Sequence, residues 1–130
     1  MLVKEVMTPK EKLISVQPIA TVREALKLMR THAVRSVIVE KTHEDGAYGL
    51  VTFKNILQSI VAEDGDIDLL NVYDIAAIPA MSISANINVQ YAAKMMVNSS
   101  IKRLLIIDNN ELQGILTMTD IIEILMDSVE

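Results

Sequence analysis

The sequence predicts a mixed α/β fold made of two homologous β-α-β-β-α repeats, and three observations carry that expectation. Sliding the chain by 67 residues lays "TVREALKLMRTHAVRSVIV" (21–39) on "NVQYAAKMMVNSSIKRLLI" (88–106). Val22 then meets Val89, Ala25 meets Ala92, Lys27 meets Lys94 and Met29 meets Met96. The phrase "GLVTFKN" (49–55) returns as "GILTMTD" (114–120), each with a glycine, two aliphatic residues, a threonine and, three residues on, an Asn or Asp. Finally, both copies alternate helical apolar spacing with short aliphatic runs.

Each element follows in order from its residues. An extended apolar stretch opens each copy, from Leu13 to Val16 and from Met81 to Ile83. A helix is expected over about 22–32 and again over 89–99. In the first, Val22, Ala25, Leu26 and Met29 recur at helical spacing while Arg23, Lys27 and Arg30 take the opposite face. "TVRE" (21–24) supplies its capping box, with Thr21 at the N-cap and Glu24 three residues inside. The β-branched run 37–39 and the aliphatic run 104–107 read as strands, closed by turns at Asp45-Gly46 and Asn109-Asn110. A second strand spans 49–53 and 114–118, and a last helix about 56–62 and 121–127. The expected layout is a first motif over 1–62, an acidic linker over 63–71 and a second motif over 72–130.

Composition narrows the function. Half the residues are hydrophobic (51%), yet only three Tyr and one Phe are aromatic, so the core must be aliphatic and methionine-filled. A net charge of −5 argues against a nucleic-acid partner. The absence of cysteine excludes disulfides and thiolate metal sites and suits a reducing, cytoplasmic setting. No run of eighteen apolar residues predicts a membrane span. "DGDID" (64–68) fails as a calcium loop, because its glycine falls at the second position and Ile75 holds the place of the closing acid. His32 and His43 lack partners at ligand or catalytic spacing, and neither a Gly-rich phosphate loop nor a nucleophile elbow is present. The expectation is a protein without catalytic residues, metal site or cofactor.

The opening "VKEVMTP" (3–9), together with the two "G-aliphatic-aliphatic-T-x-x-[DN]" phrases, resembles a tandem pair of cystathionine-β-synthase (CBS) domains over essentially the whole chain. The resemblance implies two copies packed about a pseudo-twofold axis, leaving two clefts. It also implies an adenine nucleotide (AMP, ADP, ATP or S-adenosylmethionine) as a regulatory ligand and a homodimer as the assembly.

A nucleotide needs acceptors for its ribose hydroxyls, positive charge for its phosphates and an apolar slot for its base. Asp120, where a strand runs into a helix N-terminus, offers a carboxylate for the ribose, and Thr117 and Thr119 add hydroxyls beside it. Lys102 and Arg103, just before the apolar strand of the same copy, suit the phosphate. By the resemblance, the base would lie against the first copy, at Thr8, Pro9, Ile14, Val34 and Arg35. A plainer reading stands beside this one. Asp120 and Asn55 each precede Glu123 or Gln58 by three residues, which is also a helix-capping pattern. A weaker second site would use Thr52, Asn55, Met81 and Ile101, with Ser36 standing where the second copy has Arg103. The function expected is an adenine-nucleotide energy sensor that signals through its shape or through a protein effector in trans. The other reading is a ligand-free dimerisation scaffold. "NILQSIV" and "DIIEILM" are apolar over more than one face, which predicts a twofold homodimer with these helices at its interface.

Overall fold

Val3 and Val72 are each fully buried, and each opens a short turn written twice in the sequence: "LVKEV" (2–6) and "NVYDI" (71–75). The Val3 amide donates to the Ile87 carbonyl (2.9 Å), and the Val72 amide donates to the Ala20 carbonyl (2.8 Å). Ala20 and Ile87 are 67 residues apart, so the two bonds are the same bond in the two repeats. The turn that precedes the first copy is therefore fastened to the second, and the turn that precedes the second is fastened to the first. The computed structural model describes residues 1–129, and in it the chain forms two units. One joins Met1–Leu13 to the described residues from Met81 onward; the other is Ile14–Ala80.

In chain order the elements are β1 (Thr8–Pro9), β2 (Ser15–Val16), α1 (Val22–His32), β3 (Ser36–Val39), β4 (Gly49–Thr52), α2 (Phe53–Ile56), α3 (Val72–Ile75), β5 (Ser82–Ile83), α4 (Val89–Ser99), β6 (Arg103–Asp108), β7 (Glu111–Thr117) and α5 (Met118–Asp127). Single 3-10 turns at Val3–Glu5 and Lys10–Lys12 flank β1, and α2 runs on as a π-helix over Leu57–Ala62.

In the unit Ile14–Ala80, β2 pairs parallel to β3 and β3 antiparallel to β4. A parallel pair requires a crossover, which α1 supplies. Thr21 caps α1 as the sequence predicts: its hydroxyl accepts from the Glu24 amide (3.2 Å), and the Glu24 carboxylate accepts from the Thr21 amide (3.3 Å). Val22, Ala25 and Met29 bury the inner face of α1 against Val16, Val37, Val39 and Val51. The acidic stretch 63–71 lies on this core. Its Ile67 and Leu70 pack there, and their carbonyls accept from the Arg23 and Val22 amides (3.0 Å each), two of the first-turn donors a helix leaves unpaired. Arg23 also holds Asp68 through two guanidinium nitrogens.

The other unit repeats the plan. β5 pairs parallel to β6, β6 antiparallel to β7, and β1 lies along the outer edge of β7. Asn109 and Asn110 both take positive φ (53° and 59°) at the β6–β7 turn, a conformation Asn tolerates better than most residues. Val3, Ile83, Ala92, Met96, Leu104, Ile106 and Leu116 form the core. No polar or charged residue is buried among the described residues, so all polar chemistry lies at the surface. No helix among them is long and apolar enough to cross a membrane.

The last helix of each copy departs from the expected bounds. Both start three residues earlier, at Phe53 and Met118 rather than at 56 and 121. The N-cap is therefore a threonine in each: the Thr52 hydroxyl accepts from the Asn55 amide (3.3 Å) and the Thr117 hydroxyl from the Asp120 amide (3.2 Å). Asn55 and Asp120 are the N3 partners of capping boxes, not N-caps. An N-cap keeps extended φ and ψ, so one threonine can end its strand and cap the helix that follows.

Candidate functional site

Gly114 explains how the opening segment reaches its place. A Cβ at this position would overlap the Thr8 carbonyl oxygen, so only glycine lets β1 lie along β7. Pro9 then faces Gly114, Thr8 faces Ile115, and two residues further along β7 Thr117 faces Arg103 of β6. The Met118 amide donates to the Lys102 carbonyl (2.9 Å), which ties the start of α5 to the residue before β6. One unit thus brings together Thr8, Pro9, Lys102, Arg103, Thr117, Thr119 and Asp120, drawn from both ends of the chain. Thr8, Pro9, Arg103, Thr117 and Asp120 are half-buried, while Lys102 and Thr119 are exposed.

Asp120 serves the helix with one oxygen only. Its Oδ2 accepts from the Thr117 amide (2.8 Å), and Oδ1 makes no hydrogen bond among the described residues. Of the carboxylate expected to serve a ribose, one oxygen is thus taken up by the helix start and one is left outside the capping box. In the first copy, Asn55 Oδ1 accepts from both the Thr52 amide (2.9 Å) and the Thr52 hydroxyl (3.1 Å).

The residues expected against the base divide between the units. Thr8 and Pro9, expected with the first copy, pair instead with β7 of the second, because the glycine gap that admits them is in β7. Ile14, Val34 and Arg35 lie in the unit Ile14–Ala80. There Ile14 and Val34 pack against the core, Arg35 is exposed, and the Arg35 carbonyl accepts from the Phe53 amide (3.1 Å) as Lys102 does from Met118. The weaker set divides too: Thr52 and Asn55 start α2, whereas Met81 is exposed before β5 and Ile101 packs on the core of the other unit. Ser36 faces Thr52 in the register that sets Arg103 against Thr117, so the first copy has a hydroxyl where the second has a cation.

Sequence reasoning missed the counterpart of β1. Leu50 and Ala77 exchange two backbone bonds of 3.0 Å, and a Cβ on Gly49 would come within 2.9 Å of the Ala77 carbonyl oxygen. Residues 77–79, "AIP", thus stand beside β4 much as Thr8 and Pro9 stand beside β7. The signal was present, since "IP" follows "NVYDI" as "TP" follows "LVKEV".

Two carboxyls away from this cluster lie below their ordinary range. The Ser84 hydroxyl (2.6 Å) and the Ala85 amide (3.0 Å) donate to Asp108 and hold its carboxyl down, and Arg23 does the same for Asp68. Among the described residues, no three His, Cys, Asp or Glu side chains gather as a metal would require.

A duplicated β-α-β-β-α unit with a glycine-admitted opening strand defines a regulatory domain pair, and comparison with known proteins gives the family. The chain belongs to the CBS-domain family, whose domain matches it twice, over residues 3–62 and 72–127. An uncharacterized protein of Methanopyrus kandleri is 31% identical over 112 residues, which cover 85% of this chain but 57% of that protein. The chain thus spans little more than half the length of that relative. The CBS domain-containing protein YhcV of Bacillus subtilis is 30% identical over 120 residues, 92% of this chain and 81% of YhcV. Among solved structures, a hexameric CBS-CP12 protein from bloom-forming cyanobacteria superposes with a TM-score of 0.86 at 32% identity, covering 94% of this chain and 69% of that one. CBSX2, solved in complex with AMP, shares the fold at 20% identity, with a TM-score of 0.84 and 99% of each chain covered.

Proposed function

We propose that this chain binds an adenine nucleotide reversibly and without chemistry, and reports it through its own shape or its affinity for a protein effector supplied in trans. The observation that carries this reading is the gathering of Thr8, Arg103, Thr117 and Asp120 where β7 meets α5, with one Asp120 oxygen unengaged. In this reading Asp120 Oδ1 accepts from the ribose, and the hydroxyls of Thr117 and Thr119 lie beside it. Lys102 and Arg103 meet the phosphate, and the base lies near Thr8 and Pro9. The ligand is AMP, ADP, ATP or S-adenosylmethionine, so the cell's energy status or a related metabolite is what is sensed. The AMP complex of CBSX2 supports the ligand class. The Thr52 and Asn55 set is the weaker site, for want of a cation at Ser36.

A ligand-free scaffold is the second reading, favoured by the exposed apolar residues of α5, Ile122, Leu125 and Met126. A thermal-shift panel separates the two. A nucleotide that binds only the folded chain adds about 2.7 kcal/mol at a hundredfold above its dissociation constant, which is several degrees for a domain of this size. Adenine nucleotides should shift the melt more than guanine or pyrimidine nucleotides. A flat response at millimolar concentration would leave the scaffold.

A further inference from the structure

The β6–β7 turn closes one end of its sheet, and a recess of about 640 Å³ opens beside it. Lys4, Asn86, Asp108, Asn109 and Gln113 line this recess, with Met7 as an apolar wall. All of them belong to one unit. Arg103 begins β6 and Asp108 ends it, so the length of that strand, about 16 Å, separates the recess from the nucleotide cluster. The nucleotide reading uses none of these residues.

One backbone residue fixes both charges of the recess. The Ala85 amide donates to Asp108 Oδ2 (3.0 Å), and the Ala85 carbonyl accepts from the Lys4 amide (3.0 Å). The Ser84 hydroxyl donates to Asp108 Oδ1 (2.6 Å). Each carboxylate oxygen therefore keeps one acceptor position. Although both are tied to Ala85, the Lys4 ammonium and the Asp108 carboxylate form no ion pair with each other. The side chains of Lys4, Asn86 and Asn109 make no hydrogen bond among the described residues, and Gln113 gives one amide hydrogen to the Glu111 carbonyl (3.2 Å).

The first copy shows that the fold does not ask for this set. There the Tyr73 amide donates to the Pro18 carbonyl (3.0 Å), as Lys4 does to Ala85, so Tyr73 matches Lys4. By the repeat offsets, Ile19 matches Asn86, Lys41 matches Asp108 and Tyr48 matches Gln113. Tyr48 is buried, and the Lys41 ammonium lies over its ring, 5.5 Å from the centroid. One copy closes this end of its sheet with an aromatic ring. The other leaves an ammonium, a carboxylate and carboxamides around an open recess.

That balance of charge selects the ligand. A phosphate is repelled by Asp108, and a divalent cation is repelled by Lys4 and meets a single carboxylate. A small zwitterion satisfies both groups at once, and the carboxamides can donate to it and accept from it. We propose that this recess binds a free α-amino acid, its carboxylate on Lys4 and its ammonium on Asp108. The carboxamides of Asn86, Asn109 and Gln113 then favour a polar, uncharged side chain. The site does not depend on a bound nucleotide, so it stands or falls separately from the proposed function.

Amide NMR spectra of the full chain without nucleotide test it, with L-glutamine, L-asparagine and L-serine as probes. At least one probe should shift the amides of Lys4, Ala85, Asn86 and Asn109 saturably at millimolar concentration, leaving those of Thr117 and Asp120 in place. Removing either charge from the strongest probe, as its carboxamide or its deaminated analogue, should weaken binding at least about tenfold, the worth of one charged hydrogen bond. Lys4→Met and Asp108→Asn should each do the same while melting near the parent, because Lys4 is exposed and Asn can keep the bonds to Ser84 and Ala85. Lys4→Arg, which keeps the cation, should retain binding. No saturable shift with any probe overturns the proposal. So does a strongest probe that binds Lys4→Met as tightly as the parent, or glycerol moving the same amides as strongly at equal concentration.

Discussion

Asp120 holds two roles in one carboxylate, and its two oxygens separate them. Oδ2 closes the capping box with the Thr117 amide, and Oδ1 is the oxygen assigned to the ribose. The first copy shows what Asn does in the same place, since Asn55 accepts from the Thr52 amide at 2.9 Å. Asp120→Asn should therefore melt close to the parent while binding nucleotide about ten- to a hundredfold more weakly, the worth of a charged hydrogen bond. Asp120→Ala should lose that affinity and also about 1 kcal/mol of stability with its half of the capping box. Calorimetric titration and melting of both variants check these values; an Asn variant that binds like the parent reduces Asp120 to a helix partner. Asp108 contributes to stability through a separate pair of bonds. Its carboxylate accepts from the Ser84 hydroxyl and the Ala85 amide, which tie the loop before α4 to the end of β6. The folded pKa lies below the ordinary 3.8, so this contribution is complete at pH values above 3.8 and is lost as pH falls through the lower folded value. Asp108→Ala should cost about 0.5–1.5 kcal/mol at pH 7, and the gap between variant and parent should close in acid. Denaturant titrations at neutral pH and in strong acid measure both quantities.

Among the elements, the sequence is most legible where one signal acts alone. The helices at 22–32 and 89–99 fall where apolar spacing puts them, and "TVRE" caps α1 as its residues predict. The last helices start three residues before the expected positions because two signals overlap there. Thr117 ends an apolar alternation and also opens a capping box, and apolar spacing alone cannot divide the shared residues. The opening segment is recognisable in the sequence, but its partner is not. β1 is two residues long, and strand pairing between residues 8 and 115 leaves no local trace except the glycine at 114. Gly114→Ala tests that pairing. The added methyl would overlap the Thr8 carbonyl, so β1 must shift, with a loss of about 1–3 kcal/mol typical of overpacking. Nucleotide binding should weaken with it, since Thr8 moves away from Thr117. A melting curve and an affinity unchanged from the parent would mean that β1 contributes nothing to the site.

For the molecule as a whole, duplication is plain from the 67-residue offset, whereas the exchange of opening turns is not. Val3 and Val72 are equivalent in the repeat, but equivalence in sequence does not say which copy buries which turn. The buried backbone bonds from Val3 to Ile87 and from Val72 to Ala20 decide that, and both link residues far apart in the chain. The exchange has a consequence for the proposed site. Thr8 and Pro9 lie in the same unit as Thr117 and Asp120, with Val3 anchored among second-copy residues. If the residues so gathered bind an adenine nucleotide, isothermal titration of the purified chain with AMP at neutral pH should detect it, with GMP as the control. Saturable binding of AMP, with GMP weaker, is the expected result. Heats of AMP addition no different from dilution at millimolar nucleotide would contradict the proposed function.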